Sequence, residues 1–283
     1  MAYRFLRFPG GKGKAVTLSY DDGSIYDQTL LDILNRHGMK CTFNLNSSRL
    51  NTENALTVQQ VQTLLEEGHE VAVHGANHYA SGLVRPAEGI RDVLHCREAL
   101  ETTFDRILRG MAYADSGINR FLDGNNYETV RNYLQQLGIV YSRTLGEDND
   151  RFELPTDWFA WMPTAHHANP KLMEYIDQFI ALDLASLYCA NQYPRLFYLW
   201  GHSHEFHCSE NWDLLESICA KLGGNNDIWY ATNIEIYDYV TAYQSLHWSA
   251  DSKRVYNPTL FTLWFVIGEK MYTIAPGETL VIE

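Results

Sequence analysis

Short apolar runs recur along the chain and alternate with longer stretches in which apolar residues return every three or four positions. The runs at 15–20, 41–46, 70–74, 110–114, 139–143, 195–201 and 228–232 predict strands. The stretches near 27–37, 58–67, 86–107, 126–137, 171–187, 211–222 and 233–246 predict amphipathic helices. Alternation of this kind implies an α/β fold, parallel strands with helices packed outside. Beyond residue 246 the pattern changes. Turn-like Asp251-Ser252-Lys253, Gly268-Glu269-Lys270 and Pro276-Gly277 separate short β-like runs, which predicts a small antiparallel β appendage. The expected division is a main domain over 1–246 and an appendage over 247–283, too small to fold alone and packed on the main domain as a cap.

Chemistry concentrates where the predicted strands end. Ala15-Val16-Thr17-Leu18 runs into Ser19-Tyr20-Asp21-Asp22-Gly23, and Glu70-Val71-Ala72-Val73 runs into His74-Gly75-Ala76-Asn77-His78. Carboxylate and neutral imidazole are good ligands for a zinc-like ion, so two acids and two histidines at strand ends suit a mononuclear hydrolytic metal site. If the His-x-x-x-His segment is helical, its rings lie one turn apart on one face. Neighbouring residues on an extended strand point to opposite sides, so Asp21 and Asp22 can serve different neighbours.

Taken in order, Thr17 to Gly23, His74-x-x-x-His78, Arg109, Asp157-Trp158 and Leu199-Trp200-Gly201-His202 resemble the five motifs of the polysaccharide deacetylase family, the NodB-homology or carbohydrate esterase family 4. The resemblance spans roughly 14–240 and implies a distorted (β/α) barrel of about seven parallel strands. By similarity, Asp22, His74 and His78 would hold one divalent ion, zinc first among zinc, cobalt, nickel and iron. Asp21 would be the general base for the attacking water, paired with Arg109. His202 would be the general acid for the leaving group, oriented by Asp157. Trp158 would wall the substrate groove, and an oxyanion donor would come from the loop near Tyr113 to Asp115. The implied activity is removal of acetyl groups from N- or O-acetylated carbohydrate.

The chain departs from the family pattern in two places. The third motif lacks its proline and carries extra residues, Arg109-Gly110-Met111-Ala112-Tyr113-Ala114-Asp115-Ser116-Gly117. In the fifth, Trp200 stands where a leucine usually lines the acetyl-methyl pocket. Three other readings compete. A non-carbohydrate C–N amidase of the same fold would use the same residues. A binuclear amidohydrolase or phosphoesterase would place His202 and His204 on one side of an extended segment. A binding protein that had lost turnover would have no need of a base beside a metal. His166-His167 reads as a solvated loop pair.

Composition narrows the partners. A formal charge of −13 excludes nucleic acid and anionic membrane as expected partners. Five cysteines at 41, 96, 189, 208 and 219 lack paired spacing and read as free thiols. With no signal-like apolar start and no span long enough to cross a bilayer, a cytoplasmic location is expected.

Overall fold

A computed structural model describes residues 3–122, 124–145 and 148–282. Met1, Ala2 and Glu283, the outer ends of the two expected domains, lie outside the described residues. The chain runs β1 (Arg4–Arg7), β2 (Lys14–Asp21), α1 (Asp27–Arg36), β3 (Cys41–Leu45), α2 (Val58–Glu66), β4 (Glu70–Val73), α3 (Pro86–Phe104), β5 (Gly110–Ala112), α4 (Tyr127–Gln136), β6 (Tyr141–Arg143), β7 (Ala165–His166), α5 (Leu172–Ala181), β8 (Arg195–Gly201), α6 (Ser203–Cys208), α7 (Trp212–Leu222), β9 (Ile228–Tyr230) and α8 (Asn233–Gln244). Five short strands follow: β10 (His247–Trp248), β11 (Arg254–Tyr256), β12 (Leu263–Ile267), β13 (Lys270–Ile274) and β14 (Thr279–Val281).

Seven parallel strands form the main sheet in the order β6-β5-β4-β3-β2-β8-β7, with β9 paired along the first half of β2. Period-2 alternation sorts their side chains onto two faces. On β2, Val16, Leu18 and Tyr20 join the large apolar core shared with the helices outside the sheet. Thr17, Ser19 and Asp21 are buried on the opposite, concave face. The same parity places Thr42 and Asn44 of β3, Glu70 of β4, Tyr141 and Arg143 of β6, and Tyr198 and Trp200 of β8 on that concave side. A second core, including Ala15, Tyr141, Trp161, Leu196 and Tyr198, packs there against Ile236, Tyr239 and Val240 of α8. The sheet curls back on itself through one connection. The Trp161 backbone N–H donates to Ser142 O (3.1 Å) and its carbonyl accepts from Thr144 N–H (3.0 Å), while Ala165 and His166 pair with Leu199 and Trp200.

Two strands were not legible in the apolar runs. β7 is two residues long and follows Pro163, too short to show alternation; contrary to the solvated-loop reading, its end places His167 in the interior, 3% exposed. β1 pairs antiparallel with β12, which in turn pairs with β13, so the N-terminal residues join a sheet built from the chain's far end. β10, β11 and β14 form a further small antiparallel sheet. Among the described residues all five cysteines are free, and no helix is long and apolar enough to cross a membrane.

Helix α8 starts inside the curl. Thr232 and Glu235 form a capping box at its N-terminus. Asn233 donates its backbone N–H to Thr42 Oγ1 (2.9 Å), and its side chain accepts from Thr17 Oγ1 (2.8 Å) and donates to Tyr198 Oη (2.6 Å). Buried Glu70 accepts from Thr42 Oγ1 (2.7 Å), Tyr141 Oη (2.6 Å) and Ile234 N–H (2.9 Å). Burial outweighs these bonds and pushes the Glu70 carboxyl up to about 7. In the unfolded chain this group ionises near 4.5, so stability falls as pH rises from about 4.5 through 7, by roughly 3 kcal/mol at about 1.4 kcal/mol per unit. Urea unfolding at pH 5 and pH 8 should show Glu70→Gln gaining on the wild type by that order as pH rises. A constant difference between the two proteins would contradict it.

Candidate active site

The C-terminal ends of β2, β4, β6 and β8 converge on one side of the sheet, where barrel enzymes carry their chemistry. Asp21 closes β2, buried to 2% exposure. Its Oδ2 accepts a hydrogen bond from Arg143 Nη2 and its Oδ1 accepts from Asn44 Nδ2 (2.7 Å). Burial opposes ionisation of Asp21, but Arg143, His74, His202 and the Asn44 bond together hold its pKa below the ordinary value.

Asp22 leaves the strand in the left-handed region, φ 79°, which Asp tolerates better than most residues. That turn aims its carboxylate at the two imidazoles: Asp22 Oδ1 lies 3.7 Å from His74 Nε2 and 3.4 Å from His78 Nε2. Arg49 Nη1 stands 3.3 Å from Asp22 Oδ2. The segment is not helical, so the two imidazoles do not share a helical turn. They sit on an irregular loop, with Gly75 at φ 77° and His78 at φ 61°, that folds one ring toward the other, centroids 4.9 Å apart. Asp92 of α3 pins this loop by accepting from Asn77 N–H (2.8 Å) and Nδ2 (2.9 Å). A Cβ at Gly75 would lie 2.3 Å from Asp92 Oδ2, so a larger residue there would displace the anchor.

Asp22, His74 and His78 bring one ligand atom each within 4.8 Å of the others. Two of these atoms, Asp22 Oδ1 and His74 Nε2, are buried without a hydrogen-bond partner, a costly state that a cation would relieve. His74 Nδ1 lies 2.9 Å from the Ala112 carbonyl, which can only accept; the proton therefore sits on Nδ1 and the Nε2 lone pair faces the site. Burial, only partly offset by Asp21 and Asp22, lowers the His74 pKa and favours the neutral, ligating ring. The donor set fits a divalent ion of the zinc class.

A second group, His166, His202 and Glu205, is equally compact. Its outer partners are of the opposite kind. Ala168 N–H donates to His166 Nδ1 (3.2 Å), so the neutral ring keeps its proton on Nε2, 3.2 Å from Glu205 Oε2. That nitrogen is a donor to the carboxylate and has no lone pair for a metal. The binuclear reading loses its premise as well, because the backbone turns into α6 immediately after His202 and does not continue extended to His204.

Other expected residues fall elsewhere. Arg109 precedes β5 rather than ending it, which puts it at the opposite end of the sheet; it pairs with Asp238 of α8 (2.9 and 2.6 Å), not with Asp21. Asp157 accepts from Tyr127 Oη (2.6 Å) and Phe159 N–H (2.9 Å), and His202 bonds Glu205 instead. Trp158 packs edge-on against Trp161 and Tyr237. Tyr113 is buried, donates its hydroxyl to Phe159 O (2.9 Å), and commits its backbone N–H to Arg143 O (3.0 Å), so it is not the oxyanion donor. Trp200 lies beside the centre, its ring 4.3 Å from the Arg143 guanidinium and 5.8 Å from the His202 ring.

Residues 9–142 match the family model for polysaccharide deacetylase. Over that stretch, a little under half of its length, the chain is similar to polysaccharide deacetylase domains. Domains of that family are hydrolases of acetyl amide and ester bonds. The matched stretch contains Asp21, Asp22, His74 and His78; Arg143, His202 and Glu205 lie beyond it. No curated protein matches the chain. Among solved structures, a putative polysaccharide deacetylase from Mycobacterium smegmatis shares the fold at TM-score 0.57 and 17% identity, over 86% of this chain and 96% of that one. The Puue allantoinase gives TM-score 0.57 at 10% identity, over 82% and 91%. The Streptococcus pyogenes deacetylase PplD, in complex with acetate, gives TM-score 0.41 at 19% identity over 46% of this chain, which spans 55% of PplD.

Two measurements test the assignments. Stripped protein titrated with zinc should bind one equivalent, His78→Ala should lose it, and His204→Ala should keep it; two equivalents with one lost in His204→Ala would restore the binuclear reading. Removing Arg143 strands a buried carboxylate, so Arg143→Leu should cost about 3–5 kcal/mol in urea unfolding. Arg109→Leu breaks a partly exposed pair and should cost under about 1 kcal/mol.

Proposed function

We propose that the domain hydrolyses acetyl groups from acetylated carbohydrate, with Asp21 as general base and His202 as general acid. The observation that carries this reading is the placement of ionised, Arg143-paired Asp21 between the Asp22-His74-His78 group and His202, whose Nε2 is 4.0 Å from Asp21 Oδ2. A divalent ion held by Asp22, His74 and His78 would supply Lewis-acid activation of water and polarisation of the acetyl carbonyl. Asp21 then takes the proton of the attacking water; Arg143 keeps it anionic and aimed. His202 gives a proton to the departing amine or alcohol. Burial would lower the His202 pKa, but the Glu205 hydrogen bond and the charges of Asp21 and Asp22 outweigh it and raise it, which favours the acid form. Trp200, stacked over Arg143, bounds the acetyl-methyl side and restricts the acyl group to a small one.

The 247–283 segment is assigned a structural part, since its β12 holds the N-terminal β1 in register over four residue pairs. The fold shared with an allantoinase makes non-carbohydrate C–N bonds the second substrate class to assay. Acetate release from N-acetylated oligosaccharide should be abolished by chelator and restored by zinc. Asp21→Asn should keep zinc and lose about 10²–10⁴-fold in turnover. Near-full activity of Asp21→Asn would remove it as the base; release from no acetylated glycan alongside turnover of another amide would move the assignment to that class.

A further inference from the structure

Glu205 is an unusual carboxylate: three imidazoles converge on it. His202 Nδ1 lies 3.0 Å from its Oε1, while His166 Nε2 and His167 Nε2 lie 3.2 and 2.9 Å from its Oε2. His166 is fixed as an Nε2–H donor by the Ala168 amide on its other nitrogen. His167 is clamped between rings, stacked on Phe206 at 4.1 Å and on Tyr20 at 5.8 Å. Gly201, in the fifth-motif strand end, makes room for it: a Cβ there would fall 2.0 Å from His167 Nδ1. Two N–H donors from β7 and its following residue thus hold Glu205 Oε2 from one side, leaving Oε1 facing His202. A carboxylate accepts and cannot donate when ionised, so Oε1 fixes the His202 tautomer with its proton on Nδ1 and turns Nε2 toward Asp21.

We propose that Glu205, held in place by His166 and His167, is the positioning residue that orients His202 as proton donor to the leaving group, the part the resemblance gave to Asp157. This rests on the deacetylase reading above. As the C–N bond of the tetrahedral adduct breaks, its electron pair goes to nitrogen, which takes the proton from His202 Nε2. The imidazolium becomes neutral imidazole and keeps Nδ1–H on Glu205, which remains a carboxylate throughout. The partner lies three residues from the acid, in the first turn of α6, rather than in a distant loop. Asp157 is free for its hydrogen bonds to Tyr127 and Phe159.

The charged and titratable groups facing His202 are Asp21 and Asp22 at the end of β2, Asp27 of α1, His166 and His167 at β7, and His204 and Glu205 of α6. Loss of the Glu205 charge removes one support of the imidazolium. The test compares zinc-loaded wild type, Glu205→Gln and Asp157→Asn on two substrates: an N-acetylated oligosaccharide, whose amine must be protonated to leave, and 4-nitrophenyl acetate, whose phenolate leaves without help. Glu205→Gln should lose about 10²-fold in kcat on the amide, change under about threefold on the ester, and lose amide activity at lower pH than wild type on the alkaline side. Glu205→Asp should recover part of the amide rate, and Asp157→Asn should leave both rates within about threefold. An equal loss on both substrates, an unmoved alkaline limb, or an amide-selective loss in Asp157→Asn would overturn the assignment. Should Glu205→Gln not fold, ¹⁵N shifts of His202 in the wild type decide: Nδ1 protonated supports the role and Nδ1 bare overturns it. A wild type inactive on both substrates would instead remove the deacetylase reading, whereas His202→Gln sparing the amide rate would leave that reading and overturn the donor role of His202 together with Glu205's part in it.

Discussion

The buried pair between Arg143 and Asp21 governs the rest of this architecture. Both side chains are out of water, at 0% and 2% exposure, so each pays a desolvation cost of several kcal/mol unless its partner and its hydrogen bonds stay in place. The pair is also a geometric constraint. Arg143 ends β6 and Asp21 ends β2, four strand positions apart in the sheet order. At roughly 4.8 Å per step, a flat sheet would hold them about 19 Å apart. They touch only because the sheet curls, and the segment through Trp161 that bonds β6 at one end and leads into β7 beside β8 at the other maintains the curl. The same curvature brings His74 and His202 to within about 4 Å of the Asp21 carboxylate.

Around that pair, two clusters of imidazole and carboxylate look alike by composition and differ in what stands behind them. A backbone carbonyl behind His74 places the proton on the outer nitrogen and leaves a lone pair facing inward. A backbone amide behind His166 does the reverse and makes the inner nitrogen a donor. One group is thereby arranged to hold a cation and the other to satisfy an anion. The distinction lies in main-chain hydrogen bonds, so ligand-type spacing alone would not reveal it.

This explains how much was legible in the sequence. The seven long-run strands and their helices follow from hydrophobic periodicity, and Asp21, Asp22, His74 and His78 sit at strand ends where the motifs put them. Arg109 was misassigned although the needed signal was present. Every converging strand residue closes its strand, whereas Arg109 opens one; Arg143 closes β6 with the parity of buried Tyr141. Asn44 carried a similar signal, a polar residue in an otherwise apolar-leaning strand. The role of His167 was not legible, because β7 has only two residues and its burial depends on the bare Cα of Gly201, a contact between segments more than thirty positions apart. Glu205 lay three residues after His202, but its meaning depends on α6 starting at once, and the chain around it reads more readily as a histidine-rich extended segment.

The two halves of the site are therefore built on different principles. The half that could hold a cation takes Asp22, His74 and His78 from the ends of β2 and β4, separated by β3 alone, and its geometry relies on two left-handed residues, Asp22 and His78, that short anchored loops hold against their preference. The half around His202, to which we assign proton donation, depends on one helical turn that sets Glu205 beside His202 as soon as α6 forms. A contact at i+3 adds little loop-closure entropy, whereas a partner from the 150s would have to be fixed by the packing of a separate loop. Asp157 and Trp158 of that loop pack instead around Tyr127, Trp161 and Tyr237. The turn after the fifth motif thus sets a carboxylate beside His202, while Asp157 bonds Tyr127 and Phe159.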